Sequence, residues 1–430
     1  MFWQKKIETI GKKELEKLQL KRLKETTERV YKKVGFYKNK FNAAGVKPRD
    51  IKTLKDIEKL PFTTREDLRA NYPFGMLAVP KEKIIRLHTS SGTTGKPKAI
   101  FFSRSDINCA ADLMARCLVM SGTTKADVLQ NMMTYGLFTG ALMMHYGAEK
   151  VGLLIIPAGP GNTDKQIDLM IDFKTTVIHI TPSYLLYLAD ALKKRGLDPK
   201  KDIFLKRAYV GAEPYSEQTR KKLEEIFNID VYNSYGLSEM SGPGVAFECI
   251  AKNGMHLWED NFIMEIIDPK TGRQLPEGEE GELVLTTLCR QAMPIIRYRV
   301  GDLTRIIKGK CSCGRTHRRI ARITGRSDDM FIVKGVNMFP QAIERVLMGI
   351  KGVAQNYQIV LESYDDMSIR VEIVKELFDG SVEHLIALEK QIIDKLKQEI
   401  IVKPKVELLE PGTLPSFEGK GKRVIDKRTM

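Results

Sequence analysis

The sequence predicts an α/β protein: a large N-terminal domain of parallel sheets flanked by helices, a β-rich subdomain within it, and a small α+β domain at the C-terminus. Three observations carry that expectation. The chain has 430 residues, 43% of them hydrophobic, more than one ordinary core organises and enough for two or three domains. From residue 84 to residue 233, short β-branched or apolar runs alternate with helical stretches, as in parallel strands joined by crossover helices. Past residue 240 the alternation gives way to closely spaced strands and turns, and past about residue 328 to a separate strand–helix–strand unit.

Taken in order, residues 12–34 read as an amphipathic helix with Leu15, Leu18, Leu23 and Val30 roughly on one face. Strands are expected at 84–88, 98–102, 128–133, 151–157, 176–181, 206–210 and 229–233. Ser105, Thr181 with Pro182, and Ser216 are expected helix starts, because each offers a capping oxygen and proline suits the first helical position. Runs at 262–268, 282–288, 294–299 and 302–307, with a turn at Asp268–Gly272, place the β-rich subdomain at about 241–327. The segment Gly325-Arg326-Ser327-Asp328-Asp329 is short and polar and reads as a hinge. Beyond it come a strand at Phe331–Gly335, a helix at Pro340–Met348, strands near 356–362 and 367–374, a helix over 382–399 and a strand at Lys405–Glu410. The expected domains are therefore 1–327 and 328–430.

Charge narrows the function classes. Lys and Arg number 70 against 54 Asp and Glu, a net +16, but the excess is scattered. No lysine tract is interleaved with aromatics, so nucleic acid is not an expected partner; a lysine-rich surface or small anionic substrates remain. The longest apolar run, Val151–Ala158, is far short of the roughly 20 residues a membrane helix needs. The first residues lack a long apolar stretch and a small-residue cleavage site, so no secretion signal is expected. Six cysteines in so long a chain do not form a disulfide scaffold, and a cytoplasmic location is expected.

The strongest local signal is the run Thr89, Ser90, Ser91, Gly92, Thr93, Thr94, Gly95, Lys96, Pro97, Lys98 between two expected strands. Hydroxyls donate to phosphate oxygens, glycine amides approach an anion closely, and lysine adds charge. It is not a Walker A loop: only two residues separate Gly92 from Gly95, and Pro97 follows Lys96. Composition alone leaves a plain hydroxyl-rich hairpin as the alternative.

This loop resembles the phosphate-binding signature of the adenylate-forming acyl-CoA synthetase superfamily, and the chain is similar to its phenylacetate–CoA ligase family almost throughout. The resemblance rests on LPFTTREDLRANYPFG at 60–75, SSGTTGKPK, TYGLFTGAL at 134–142, GAEP at 211–214, YGLSE at 235–239, IIRYRVGDLT at 295–304, ITGRSDDMFIVKGVNMFP at 323–340 and EGKGKRVIDKR at 418–428, in family order. It implies an ATP-dependent ligase that converts an arylacetate, phenylacetate first and indoleacetate second, to its coenzyme A thioester through an acyl-adenylate, with magnesium. Other readings are a related synthetase that adenylylates a deazaflavin coenzyme and needs no coenzyme A, or a catalytically silent nucleotide-binding protein.

Joining two anions is a problem of positioning and electrostatics rather than of a covalent nucleophile. Glu239 ends YGLSE beside an expected strand, and its carboxylate suits magnesium, although a cap or surface acid would look the same. By resemblance, Ser90–Lys96 hold phosphate with Thr93 catalytic, Gly211, Ala212, Glu213 and Pro214 line the adenine, and Tyr235 with Gly236 flanks it. Asp302 would accept the ribose hydroxyls with Arg326 as companion. Lys420, or Lys422 as runner-up, would bridge the acid carboxylate and the α-phosphate. Asp328 would be the pivot of a mobile C-terminal cap. Tyr135, Phe138, Gly140 and Ala148 combine aromatic walls with small residues and are expected to form the acid pocket, with ordinary core packing as the alternative. The resemblance also implies a homodimer, with helix 12–34 contributing.

Cys249 and His256 with Cys311 and Cys313 offer three sulfurs and an imidazole, a donor set for a structural zinc. The C-x-C pair lacks the usual two-residue spacer, and His317 is a competing ligand. Cys109, Cys117 and Cys289 are expected to be buried and apolar in role.

Overall fold

The computed structural model describes residues 1–89, 97–327, 330–377, 382–415 and 423–428. After the short α1 (Lys5–Glu8), the long α2 (Lys12–Lys33) lies across the N-terminal core and is followed by α3 (Gly35–Ala43). The α2 stripe is Leu15, Gln19, Leu23, Thr26 and Val30, spaced three or four apart. Leu18 is only half-buried. Gln19 takes the inward position because its amide donates to Glu259 O at 2.8 Å, which satisfies a polar group in the interface.

A single turn and a half, α4 (Arg65–Ala70), leads to β1 (Ile84–Thr89) and β2 (Ala99–Ser103). These two strands pair antiparallel in a sheet of their own, with Thr89 opposite Ala99, and do not join the parallel sheet. The segment between them is too short for the crossover that parallel strands require. The next helix, α5 (Arg104–Met120), is capped two residues before the expected serine. Ser103 is its cap and Asp106 closes a capping box, while the Ser105 hydroxyl only touches Ser103 Oγ at 2.9 Å. The acidic partner three residues after Ser103 decides the position.

The parallel layer alternates as expected: β3 (Val128–Asn131), α6 (Thr139–Val151), β4 (Leu154–Ile156), α7 (Thr163–Asp172), β5 (Val177–Ile180), α8 (Pro182–Lys194), β6 (Arg207–Gly211), α9 (Glu217–Phe227) and β7 (Asp230–Leu237). Thr181 and Ser216 cap α8 and α9 by accepting from Tyr184 N and Thr219 N, as their sequence positions predict. Two strands without a sequence signal, β8 (Gly242–Glu248) and β9 (Met255–Leu257), return antiparallel on the same sheet. The β-rich part follows: β10 (Phe262–Ile267), β11 (Gly281–Thr287), β12 (Tyr298–Thr304), β13 (Ile306–Ile307), β14 (Arg319–Ile320) and β15 (Gly325–Arg326). The expected strands at 294–299 and 302–307 are shifted: Arg297 with φ 44° interrupts the extended run, β12 begins after it at Tyr298 and runs to Thr304, and the end of the second run becomes the separate β13. Strands β13 and β14 cross to the large sheet, whose order is β13-β14-β9-β8-β7-β6-β5-β3-β4, while β10, β11, β12 and β15 make a four-stranded sheet.

The C-terminal unit opens with the hairpin β16 (Phe331–Val333) and β17 (Val336–Met338), then α10 (Pro340–Met348), β18 (Val353–Leu361), β19 (Met367–Ile373), α11 (Val382–Ile400), β20 (Lys405–Leu409) and β21 (Val424–Asp426). Its sheet order is β20-β19-β18-β21, and Ile343, Leu347, Ile369, Val371, Ile392 and Leu396 form its buried core. Among the described residues no helix is long and apolar enough to cross a membrane.

Candidate active site and a Cys/His cluster

A cavity of about 490 Å³ opens where β6 and β7 end, between the large sheet, β12 and the start of α10. The C-terminal edge of a parallel sheet leaves backbone groups and loop side chains free to face a ligand. Ala212, Glu213 and Pro214 line it directly after β6, and Tyr235 and Gly236 line it on β7. Ala212 has φ 68°, a strained conformation for a side-chain-bearing residue at the turn out of the strand. At Gly236 a Cβ would lie 1.8 Å from Gly242 O, so only glycine lets β7 and β8 come this close. Gly211 ends β6 just behind. Glu213 reaches sideways and its Oε1 accepts Ser183 N–H at 2.8 Å, tying the loop to the start of α8.

Glu239 sits in the one-turn helix Ser238–Met240 that follows β7, and its carboxylate is almost completely buried. Lys98 Nζ and Tyr298 OH both bond its Oε1, the tyrosine at 2.9 Å. Burial alone would push the Glu239 carboxyl up; the adjacent ammonium more than offsets it and holds the group below its ordinary range. Burial and the Glu239 charge push the Tyr298 phenol well up, so it stays a neutral donor.

Across the cavity, Tyr235 OH donates to Asp302 Oδ2 at 2.6 Å, and Arg326 bonds the other oxygen, Asp302 Oδ1. Asp302 and Arg326 are register partners in the β12–β15 pairing, so residues 24 apart in sequence become neighbours. Gly325 and Arg326 are therefore held in a sheet rather than in a free hinge.

The sequence-derived candidates divide three ways. Phe138, Ala212, Glu213, Pro214, Tyr235, Gly236, Glu239, Asp302 and Arg326 converge on the cavity. Tyr135, Gly140 and Ala148 do not line it. The Tyr135 hydroxyl accepts Asn131 Nδ2 at 2.9 Å, and Ala148 is buried in the α6 core. Gly140 acts one layer back, since a Cβ there would fall 2.5 Å from the Phe138 ring. Ser90, Ser91, Gly92, Thr93, Thr94, Gly95, Lys96, Asp328, Lys420 and Lys422 lie outside the described residues. The apolar end of the cavity is built instead by Met132, Met133, Phe138, Pro160 and Tyr184. Lys98, Tyr298, Arg322 and Gln341 also line it without having been singled out. Lys98 closes the hydroxyl-rich loop motif and Tyr298 precedes Asp302 in its motif, so both carried a signal; Arg322 and Gln341 carried none.

A second constellation lies away from the cavity. Cys249, His256, Cys311 and Cys313 bring three sulfurs and one imidazole nitrogen within 4.8 Å of one another. The Cys249 and Cys311 sulfurs are 3.6 Å apart, and Cys313 Sγ is 3.2 Å from His256 Nε2. His256 Nδ1 lies 2.9 Å from His317 O, which can only accept, so Nδ1 carries the proton and Nε2 presents its lone pair to the sulfurs. The hydrogen bond between Cys249 and Cys313 drives their thiols apart, lowering Cys313, which His256 lowers further, and raising Cys249. This donor set is the chemistry of a closed tetrahedral metal site. His317 is committed elsewhere: Nδ1 accepts Glu259 N–H at 3.0 Å and Nε2 donates to Ile7 O at 2.9 Å. Of the other cysteines only Cys117 is fully buried; Cys109 and Cys289 are half-buried, and Cys109 donates to Asn261 Oδ1 at 3.0 Å, a polar role not expected of them.

Comparison with known proteins agrees with this geometry. The AMP-binding enzyme family model matches residues 9–289, and that of the AMP-binding enzyme C-terminal domain matches residues 335–428. Phenylacetate-coenzyme A ligase of Thermus thermophilus is 43% identical over the whole of both chains. That of Aromatoleum evansii is 46% identical over 98% of this chain and 96% of its own, and that of Escherichia coli 41% over 99% and 97%. Among solved structures, 2-hydroxyisobutyryl-CoA ligase in its postadenylation state superposes with a TM-score of 0.94 at 29% identity, covering 100% of this chain and 93% of that one. The same ligase in its thioesterification state gives 0.74 at 30% identity, covering 99% and 92%. The chain belongs to the AMP-binding enzyme family and stands close to its phenylacetate–coenzyme A ligases.

Proposed function

We propose that the chain is an ATP-dependent acid–thiol ligase acting on phenylacetate. The acid carboxylate attacks the α-phosphorus of ATP, the bond to pyrophosphate breaks, and phenylacetyl-AMP forms. The thiol of coenzyme A then attacks the acyl carbon, releasing AMP and leaving the thioester. The observation that carries this reading is a single cavity holding the Lys98–Glu239–Tyr298 cluster and the Tyr235–Asp302–Arg326 cluster, in a chain similar to phenylacetate–coenzyme A ligases over its whole length.

In this reading Ala212–Pro214 and Tyr235 take the adenine, and Asp302, with Arg326 fixing it, takes the ribose hydroxyls. The apolar end at Met132, Met133 and Phe138 takes the aryl ring, where flat aromatic surfaces bury well. Ser90–Lys96 hold the phosphates, Thr93 donates to the reacting one, and Lys420 or Lys422 bridges the two anions. Glu239 would hold magnesium: its carboxylate is ionised and faces the cavity, and both described partners use Oε1, which leaves the second oxygen to a hard cation. Magnesium there would screen the repulsion between the joined anions. Lys98 orients Glu239 and keeps it charged.

The Cys249, His256, Cys311 and Cys313 cluster would hold a structural zinc that ties β8 and β9 to the turn before β14. Domains at 1–327 and 328–430, a homodimer and a cytoplasmic location complete the proposal; light scattering of the purified protein reads the dimer. A panel of carboxylic acids scored for pyrophosphate release with and without coenzyme A tests the function. Phenylacetate should give AMP and a thioester with coenzyme A. Adenylylation of a deazaflavin coenzyme without coenzyme A would favour the related synthetase, and ATP binding without AMP release across the panel would leave a silent nucleotide binder.

A further inference from the structure

Beside the cavity, α9 of the large domain meets α10 of the small one, and the contact turns on one buried carboxylate. Glu344 on α10 is 7% exposed, and among the described residues no lysine or arginine pairs with it. Its Oε1 accepts the N–H of Ser216 at 3.1 Å and the hydroxyl of Thr219 at 2.7 Å, which are the cap and third residue of α9. The charge is thus held by two hydrogen bonds, by the positive end of an 11-residue helix and by the more distant Arg423 cation. Burial pushes the carboxyl up, helped by the Glu213 charge, and the two bonds with Arg423 pull against it.

The rest of this interface is less complete. Gln218 on α9 lies beside Gly349 at the end of α10, and its Oε1 is buried with no hydrogen-bond partner among the described residues. It would gain water if the helices parted, so the closed arrangement carries a cost that parting relieves. The chain superposes on 2-hydroxyisobutyryl-CoA ligase with a TM-score of 0.94 in the postadenylation state and 0.74 in the thioesterification state. The arrangement in which Glu344 reaches α9 is the former.

We propose that Glu344 latches the adenylation arrangement: it is a positioning residue that holds the small domain against the N-terminus of α9 and must let go before coenzyme A can attack. The inference rests on the two-step reading above. Hydrogen bonds to a carboxylate are short and directional, so rotation breaks both together, while Gln218 recovers hydration. The latch therefore sets a balance between two arrangements without locking either.

The test separates the half-reactions. Acid-dependent exchange of labelled pyrophosphate into ATP, without coenzyme A, reads adenylation. Single-turnover thioester formation from acyl-adenylate already on the enzyme reads the second step. Glu344→Ala should lower exchange about tenfold, the effect of losing a charge-assisted contact, while thioester formation is unchanged or faster. Glu344→Gln keeps an acceptor oxygen without the charge and should fall between. Thr219→Val removes one contact from the other side and should shift the same ratio in the same direction, which keeps the test open if the Glu344 variants fold poorly. Equal losses in both steps, or no change in either, would overturn the latch. Absence of acid-dependent exchange in the unmodified enzyme would overturn the two-step reading, and the latch with it; exchange that survives with an unmoved ratio sinks the latch alone.

Discussion

Glu239 owes its charge to one neighbour. Burial favours its neutral form, and Lys98 reverses that. A carboxyl depressed in the folded state contributes stability that is fully present above its unfolded value and is lost as pH falls through the folded one. Replacing Lys98 with methionine keeps the bulk and removes the cation, so desolvation acts unopposed and the carboxyl rises. The acid limb of the adenylation pH profile should move to higher pH, and the adenylation rate at neutral pH should fall about 10²-fold, measured by pyrophosphate exchange. A fall in rate with an unmoved acid limb would mean that Lys98 touches phosphate but does not hold Glu239. Glu239 was legible as the end of its motif, and so were Asp302 and Tyr235. What the linear string could not show is that Lys98, 141 residues away from Glu239, shares its oxygen. Nor could it show that Met132 and Met133, with the more distant Pro160, would line the cavity where Tyr135 and Ala148 do not. Tyr135, in the turn before α6, is held by Asn131, and Ala148 faces the core from α6; neither orientation is encoded in the local run.

At the scale of elements, two predictions separate neighbouring residues with similar chemistry. The first concerns α5. Ser103 accepts Asp106 N–H and completes the box, whereas Ser105 already lies in the helix. Ser103→Ala should cost about 1 kcal/mol of unfolding free energy, and Ser105→Ala only a few tenths, by denaturant titration. The sequence reading placed the cap at Ser105; the register of β2, which ends at Ser103, and the acid at Asp106 move it to Ser103. The second concerns the Cys/His cluster. His256→Ala should abolish stoichiometric zinc by elemental analysis and lower the melting temperature by several degrees, as should a strong chelator. His317→Ala should leave the metal content unchanged, because its ring bonds only Glu259 N and Ile7 O, and the carbonyl that His256 uses is retained. Loss of metal in the His317 variant would contradict the ligand set. The cysteine spacing made both histidines candidates. The pairing of β9 with β14, where Arg319 lies opposite His256, brings the C-x-C turn to one of them, and that pairing has no short-range signal.

For the whole molecule, the question is where one domain ends and rotation begins. Strand alternation, the change of rhythm past residue 240 and the final strand–helix unit were all legible, because hydrophobic period and turn chemistry are local. Strands β8 and β9 were not, since both are buried throughout and so lack alternation. The expected hinge at 325–329 is shortened from its N-terminal side. Arg326 is held by Asp302, and Ser327 N–H donates to Gly301 O at 2.7 Å, so the chain belongs to the large domain through residue 327. The small domain takes hold at Phe331, where β16 begins. A pivot C-terminal to residue 327 would leave the β12–β15 pairing intact, as the proposed role of Asp328 requires. Proline fixes φ near −65° and would arrest that rotation. Asp328→Pro should therefore leave acid-dependent pyrophosphate exchange within about threefold of the parent while slowing single-turnover thioester formation by about 10²-fold, the scale of losing a gating step. The direction is opposite to that expected for Glu344→Ala, so the double variant is informative: releasing the latch should not rescue thioester formation when the pivot itself cannot turn. Equal loss of both half-reactions in Asp328→Pro would place the pivot elsewhere or show that a single arrangement serves both steps.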